Sequence, residues 1–224
     1  MRLYYNTVSK PMLECLQRLM ANAAFDDFVL VGGTALSLQL GHRMSVDIDL
    51  FTAIDYGSMN LESIKCALTT IFPYTNYLET LTGRNLGYMV HIGDSQVEKV
   101  KLDLFYTENF IAPIVQQDGL RLASLQDIAA MKMQAIVNSK RKKDFWDIHE
   151  LLEYFTLNEL IQYGLRRNPY TLTESDILFA LCNLAKFTEL DSDDLILCLK
   201  GNYWELVVED LQAIAEQFRK QINE

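Results

Sequence analysis

The sequence predicts an α+β protein in two parts: a mixed sheet with flanking helices over residues 1–123, then an all-helical half over 124–224. Three observations carry that prediction. Before Ser124, apolar runs with the two-residue period of strands are interspersed with helical stretches. After it, apolar residues recur at three- and four-residue spacing to the end of the chain. No Gly/Pro-rich linker separates the two textures near Ala123. The 224 residues suffice for one large domain or two small ones, each with its own core.

Ser9 followed by Pro11 is a helix-start signal, and Met12, Leu13, Leu16, Leu19, Met20 and Ala23 follow at helical spacing. Residues 28–31 read as a short strand, Gly32-Gly33 as a tight turn and 34–40 as a helix. Residues 46–51 (VDIDLF) alternate like a strand. Ser58 is expected to cap a helix through 72, and strands are expected over 74–80, 85–92 and 97–106. Helices are predicted over 125–138, 144–155, 157–167, 174–187 and 204–222.

Half of the residues are hydrophobic and 22% are charged, with 10 Gly and 4 Pro, which is the composition of an ordinary globular protein. Thirty Asp and Glu against 20 Lys and Arg give a net charge of −10. Such a chain cannot coat nucleic acid through bulk charge, although a local basic patch stays open. The first residues lack a secretory apolar run, and no stretch reaches the roughly 18 apolar residues of a membrane span, so a cytoplasmic protein with no membrane partner is expected. Cys15, Cys66, Cys182 and Cys198 are far apart and are read as reduced core thiols.

The chemistry concentrates in the strand 46–51. Residues i and i+2 share a face, so Asp47 and Asp49 lie side by side, opposite Val46, Ile48 and Leu50. Two like charges on one face call for a cation, and a hard divalent ion such as Mg²⁺ or Mn²⁺, shared with substrate phosphates, meets that need. The run Val100-Lys101-Leu102-Asp103-Leu104-Phe105 repeats the pattern, with Asp103 on the polar face. If the two strands are neighbours, three carboxylates converge as in a two-metal phosphoryl-transfer site; otherwise these acids line a solvated face. Gly32-Gly33-Thr34 stands between a strand and a helix, where small residues let backbone N–H groups approach an anion or simply serve the turn. Thr34 could cap the helix or bind a phosphate. Arg43 and Ser45 could contact a triphosphate or lie in a solvated loop.

The combination Gly32-Gly33-Thr34, Arg43-x-Ser45-x-Asp47-x-Asp49 resembles the signature of the nucleotidyltransferase superfamily with the polymerase β-like fold, and in detail its AbiEii/AbiGii-type toxin branch. Asp103 matches the third acidic position of that family. Asp127, Lys132, Arg141, Asp144 and Asp147 fall on its downstream Asp/Lys/Arg and Lys-Asp motifs. The resemblance spans about residues 25 to 155 and implies a nucleotidyltransferase-like N-terminal sheet. It implies metal ligation by Asp47, Asp49 and Asp103, and nucleotide contacts from Gly32, Gly33, Thr34, Arg43, Ser45, Lys132, Arg141 and Asp144. The chain departs from the branch in its short helical half.

The downstream residues also have readings of their own. Lys132 lies on the inward stripe Leu125, Ile128, Ala129, Ala135 and Ile136, where it either snorkels or meets an anion. Asp144 is placed to N-cap a helix starting at Phe145, and Asp127 to complement a helix dipole. The basic run 140–143 is either a solvated link or the rim of a site. His42, His91 and His149 show no metal-ligand spacing, and Trp146 and Phe155 read as core.

The expected function is transfer of a nucleotide from an NTP to an acceptor hydroxyl, on an RNA or tRNA end or on a protein, with release of pyrophosphate. The resemblance implies a toxin of a toxin–antitoxin or phage-defence pair, hence an antitoxin partner. A small-molecule (aminoglycoside-type) nucleotidyltransferase and a non-catalytic nucleotide-binding module are the alternatives.

Overall fold

The computed structural model describes residues 2–80, 87–139, 141–184 and 196–222. Two compact units divide the chain: residues 1–41 with 45–123, and residues 42–44 with 124–224.

The first unit is built on a seven-stranded mixed sheet. Its strands are β1 (Val29–Leu30), β2 (Asp47–Thr52), β3 (Tyr74–Thr80), β4 (Gly87–Gly93), β5 (Lys99–Tyr106), β6 (Val115–Gln117) and β7 (Leu120–Leu122), in the order β3-β4-β5-β2-β1-β7-β6. The helices are α1 (Lys10–Met20), α2 (Gly32–Leu40) and α3 (Leu61–Ile71). Ser9 caps α1 by accepting from Met12 N–H, with Pro11 in the first turn where its missing N–H costs nothing. The apolar stripe of α1 packs on β2, β4, β5 and β7, burying Met12, Leu16 and Leu19. In the sheet, Ile48, Leu50, Leu102 and Leu104 are fully buried, which holds β2 and β5 in one register: a slip of one residue would expose all four and bury the acids.

Several expected boundaries move. Helix α2 spans Gly32–Leu40 rather than starting at residue 34, directly after an extended Val31, and Gly32 keeps the left-handed φ of +66° that the expected tight turn calls for. Ser58 does not cap α3, because its hydroxyl donates to Asp55 O and Asn60 caps the helix by accepting from Ser63 N–H. Val46 falls outside β2 and is exposed rather than on the core face. Residues 85–86 of the expected strand 85–92 lie outside the described residues. The β6–β7 hairpin was not expected, although Asp118-Gly119 signals it: both residues have positive φ, 52° and 78°, as a tight two-residue turn requires.

The second unit is helical, with α4 (Leu125–Asn138), α5 (Lys142–Leu151), α6 (Leu157–Arg167), α7 (Glu174–Cys182) and α8 (Trp204–Gln221). Ser124 caps α4, and capping boxes Thr156/Glu159 and Thr173/Asp176 open α6 and α7. Helix α4 is central, packing against α5, α6 and α7, while α8 packs on α5, α6 and α7. Residues 42–44 belong here because they pair as a short extended strip with 197–199: Met44 N–H donates to Leu197 O and Leu199 N–H to His42 O, both at 2.8–2.9 Å. Helix α5 starts two residues earlier than expected and ends at Leu151, so Asp144 sits inside its first turn and is not its N-cap. Residues 185–187 of the expected helix 174–187 lie outside the described residues.

Trp146 is buried and stacks on Trp204, with centroids 6.2 Å apart and planes 14° apart, as expected of core. The four cysteines are free thiols, but only Cys15 is buried, and burial pushes its thiol up to about 11; Cys66 is exposed because it lies off the buried stripe of α3. Among the described residues no helix is long and apolar enough to cross a membrane.

Candidate active site

In the first unit, β2 and β5 are parallel neighbours with Asp47 opposite Lys101 and Asp49 opposite Asp103. On β4, His91 stands opposite Lys101 and Met89 opposite Asp103. Residues in register share a face, so one side of the sheet carries Asp47, Asp49, Asp103, Lys101 and His91, and the buried aliphatic residues occupy the other. The Lys101 Nζ donates to Asp103 Oδ2 at 2.5 Å. Asp103 Oδ1 is buried without a hydrogen-bond partner among the described residues, as is Nδ1 of His91. Burial, together with Lys99 and Lys101, lowers the His91 pKa against the opposing pull of Asp47 and Asp103, favouring the neutral ring.

Helix α2 delivers its N-terminus to this face. Gly32 has φ +66°, and a Cβ built there would stand 2.5 Å from Asp49 Oδ2. Only glycine lets the chain turn into the helix so close to that carboxylate. Val31 N–H donates to Asp49 O at 2.9 Å, tying the end of β1 to the acidic strand. Among the described residues no side chain caps α2, so the N–H groups of its first turn, at Gly32, Gly33 and Thr34, keep the anion-seeking character of a helix start. The Thr34 hydroxyl is fully buried, donates to the backbone carbonyl of Asp47 and lies 2.8 Å from Ser45 Oγ, while Ser45 N–H donates to Thr7 O. Thr34 and Ser45 therefore clasp the helix start to the strand that carries the acids.

Gly32→Ala is expected to cost about 1–2 kcal/mol through the left-handed backbone alone and to displace the Asp49 carboxylate. The measurement is a thermal melt alongside nucleotide transfer: activity should fall further than the few degrees lost in Tm account for.

A metal ion fits the residues of this face in part. The unpartnered Asp103 Oδ1 and the side-by-side Asp47 and Asp49 are hard oxygen donors of the kind Mg²⁺ and Mn²⁺ take. However, no three His, Cys, Asp or Glu side chains among the described residues are already gathered as a closed set of ligands. Mg²⁺ is commonly held through one or two carboxylates plus substrate phosphates, which the side-by-side Asp47 and Asp49 allow.

The second unit holds a buried ion network around Asp147. Its carboxylate accepts from Arg43 Nε at 2.7 Å and Nη2 at 2.8 Å, from His42 Nε2 at 2.8 Å and from Lys132 Nζ at 2.5 Å. Lys132 also donates to Asp144 Oδ1 at 2.6 Å, and Asp144 Oδ2 accepts from Arg141 Nε at 3.0 Å and Ser139 Oγ at 3.4 Å. Burial would push Asp147 up, yet Arg43 and Lys132 hold it well below the ordinary carboxylate range. Asp144 is lowered in the same way: Lys132 and Arg141 outweigh its burial. For Lys132, burial pulls down and Asp147 with Asp144 pull up, leaving the ammonium more firmly protonated than usual.

Lys132 therefore does meet anions from its inward position, but the anions are side chains of its own unit. At 6% exposure it has little open surface, whereas the Arg141 side chain is 45% exposed. Asp127 is fully buried and accepts from Ser124 Oγ at 2.6 Å, with Arg167 Nη1 at 3.4 Å, so it does more than complement a dipole. Lys140 lies outside the described residues, and Lys142 sits 5.6 Å over the Trp204 ring.

Sequence reasoning did not single out Lys101, His42 or the central place of Asp147. The signal for Lys101 was its position two residues before Asp103 on the same strand face. Nothing local could pair Arg43 with a carboxylate 104 residues away.

This fold defines the class. A Helicobacter pylori protein assigned as a nucleotidyltransferase matches with a TM-score of 0.59 at 21% identity, over 96% of this chain and 94% of that one. MenT4, a nucleotidyltransferase toxin from Mycobacterium tuberculosis, matches with a TM-score of 0.53 at 14% identity, over 92% and 83%. The chain thus has the nucleotidyltransferase fold. An uncharacterized protein of Aquifex aeolicus is 27% identical over 186 residues, covering 77% of this chain and 82% of that protein. The model of the nucleotidyl transferase AbiEii toxin family, of type IV toxin–antitoxin systems, matches residues 14–213, and the chain belongs to that family.

Proposed function

We propose that the protein is a divalent-metal-dependent toxin that transfers a nucleotide from an NTP to a hydroxyl at an RNA or tRNA end, in the cytoplasm and under the control of an antitoxin. The observation that supports this most directly is the in-register pair Asp49 and Asp103 beside Asp47, on one sheet face at the N-terminus of α2.

Asp47 and Asp49 would hold Mg²⁺ or Mn²⁺, which when bound would supply charge neutralisation to the triphosphate and the leaving pyrophosphate. The N–H groups of Gly32, Gly33 and Thr34 orient the triphosphate. The acceptor oxygen bonds to the α-phosphorus as the bond to the β-phosphate oxygen breaks, and pyrophosphate leaves with that electron pair. Asp103 takes the acceptor proton at Oδ1, its other oxygen being held by Lys101. In the second unit Arg141 is the exposed cation of the ion network. Asp144 holds it, and Lys132 pairs with the other oxygen of that carboxylate.

The test is incubation of the purified full chain and Mg²⁺ or Mn²⁺ with each labelled NTP and total RNA, lysate protein or a panel of small molecules. Label on RNA is expected with one NTP. Label on small molecules or protein alone overturns the acceptor assignment. The absence of both label and NTP binding overturns the enzymatic reading.

A further inference from the structure

The acidic face already contains a cation. Lys101 is the register partner of Asp47 and stands two residues before Asp103 on the same face, with its Nζ 2.5 Å from Asp103 Oδ2. The pair is shielded, the lysine side chain being 34% exposed and the aspartate 15%. His91 is the register partner of Lys101 on β4, and burial, with Lys99 and Lys101, lowers its pKa, which favours the uncharged ring. Nothing in the sequence pattern that marks the acids requires a lysine here: a third carboxylate meant only for metal would be better served by a polar or small neighbour. A primary ammonium at hydrogen-bond distance occupies the space from which a second divalent ion would approach Asp103, and it repels that ion.

We propose that Lys101 is a resident cation of this site: it holds Asp103 in place of a second metal ion and limits the chain to one divalent ion, carried by Asp47 and Asp49. The inference rests on the metal-dependent reading above. Under it, Asp103 Oδ2 stays with the lysine, while Oδ1, buried and without a hydrogen-bond partner among the described residues, is the oxygen left for the acceptor proton. Lys101 is thus a positioning residue that acts through Asp103.

The experiment is a Mn²⁺ titration of the full chain followed by electron paramagnetic resonance, with a thermal melt of each protein to confirm folding. Wild type should bind one Mn²⁺ per chain. Lys101→Met, which keeps the length and removes the charge, should bind two. Asp103→Asn added to Lys101→Met should return the count to one, and Lys101→Arg, which keeps the charge, should stay at one. Should Lys101→Met not fold, Lys101→Gln carries the same expectation.

Two ions on wild type, or equal counts and affinities for wild type and Lys101→Met, overturn the inference and leave the proposed function standing. Binding by Asp47→Asn/Asp49→Asn equal to wild type, or no Mn²⁺ bound by any of the proteins, overturns the proposed metal site and the inference with it.

Discussion

Asp49→Ala is expected to slow nucleotide transfer by at least about a hundred- to a thousandfold, the scale on which preorganised electrostatic groups contribute to catalysis. The residue is not needed for the core: Ile48 and Leu50 beside it carry the burial, and Asp49 points to the other face. Because the substitution leaves the buried face intact, the variant should remain folded and melt cooperatively. Labelled-NTP transfer and a thermal melt, run together, check both halves. Full activity in a folded Asp49→Ala chain would remove the acidic face from the mechanism. Asp47→Asn/Asp49→Asn should behave alike and should also lose any rise in Tm that Mn²⁺ gives the wild type.

Asp147→Ala is expected to have the largest effect on folding, about 3–5 kcal/mol, because it strands Arg43 and Lys132 inside the second unit without their shared counter-ion. For a chain of this size that corresponds to a fall in Tm of roughly 6–20 °C. Denaturant unfolding with Lys132→Met, alone and combined, checks it: the double variant should recover part of the loss, since the stranded charge has gone.

The pH dependence follows from the lowered carboxylates. Asp144 and Asp147 bind protons less readily in the folded chain than at the ordinary value of 3.8, so their contribution is fully present above that value and is lost as pH falls through the folded ones. Wild type should lose stability on acidification below about 3.8, and Asp147→Ala should lose less over the same window. Lys132 has the opposite sign, its pKa being raised from 10.5, so its contribution is present below that value and is lost as pH rises through the folded one.

What was legible in the sequence was short-range. The alternation of 46–51 and 97–106 marked two strands and the acid-bearing face of each, because burial of every second residue writes a period of two into any half-buried strand. Helix starts with a strong side-chain cap, at Ser9 and Ser124, were readable for the same local reason. Where local signals competed, tertiary contacts chose. Asn60 outcompeted Ser58 at α3, and α5 began early enough that Asp144 turned inward to Lys132 rather than capping the helix. The β6–β7 hairpin is a miss of a different kind, since its Asp118-Gly119 turn signal is local and strong.

The sequence by itself determined the α+β class, the resemblance to the nucleotidyltransferase superfamily and the residues able to carry charge chemistry, all of which depend on spacing along one element. Only the tertiary structure decided which charges neutralise which. It paired Asp103 with Lys101 and set Asp49 beside it across the β2–β5 register, and it gave Arg43 and Lys132 to Asp147. The physical reason is that a buried or half-buried charge must find its counter-charge in space, and a partner 104 residues away leaves no periodic trace in either segment.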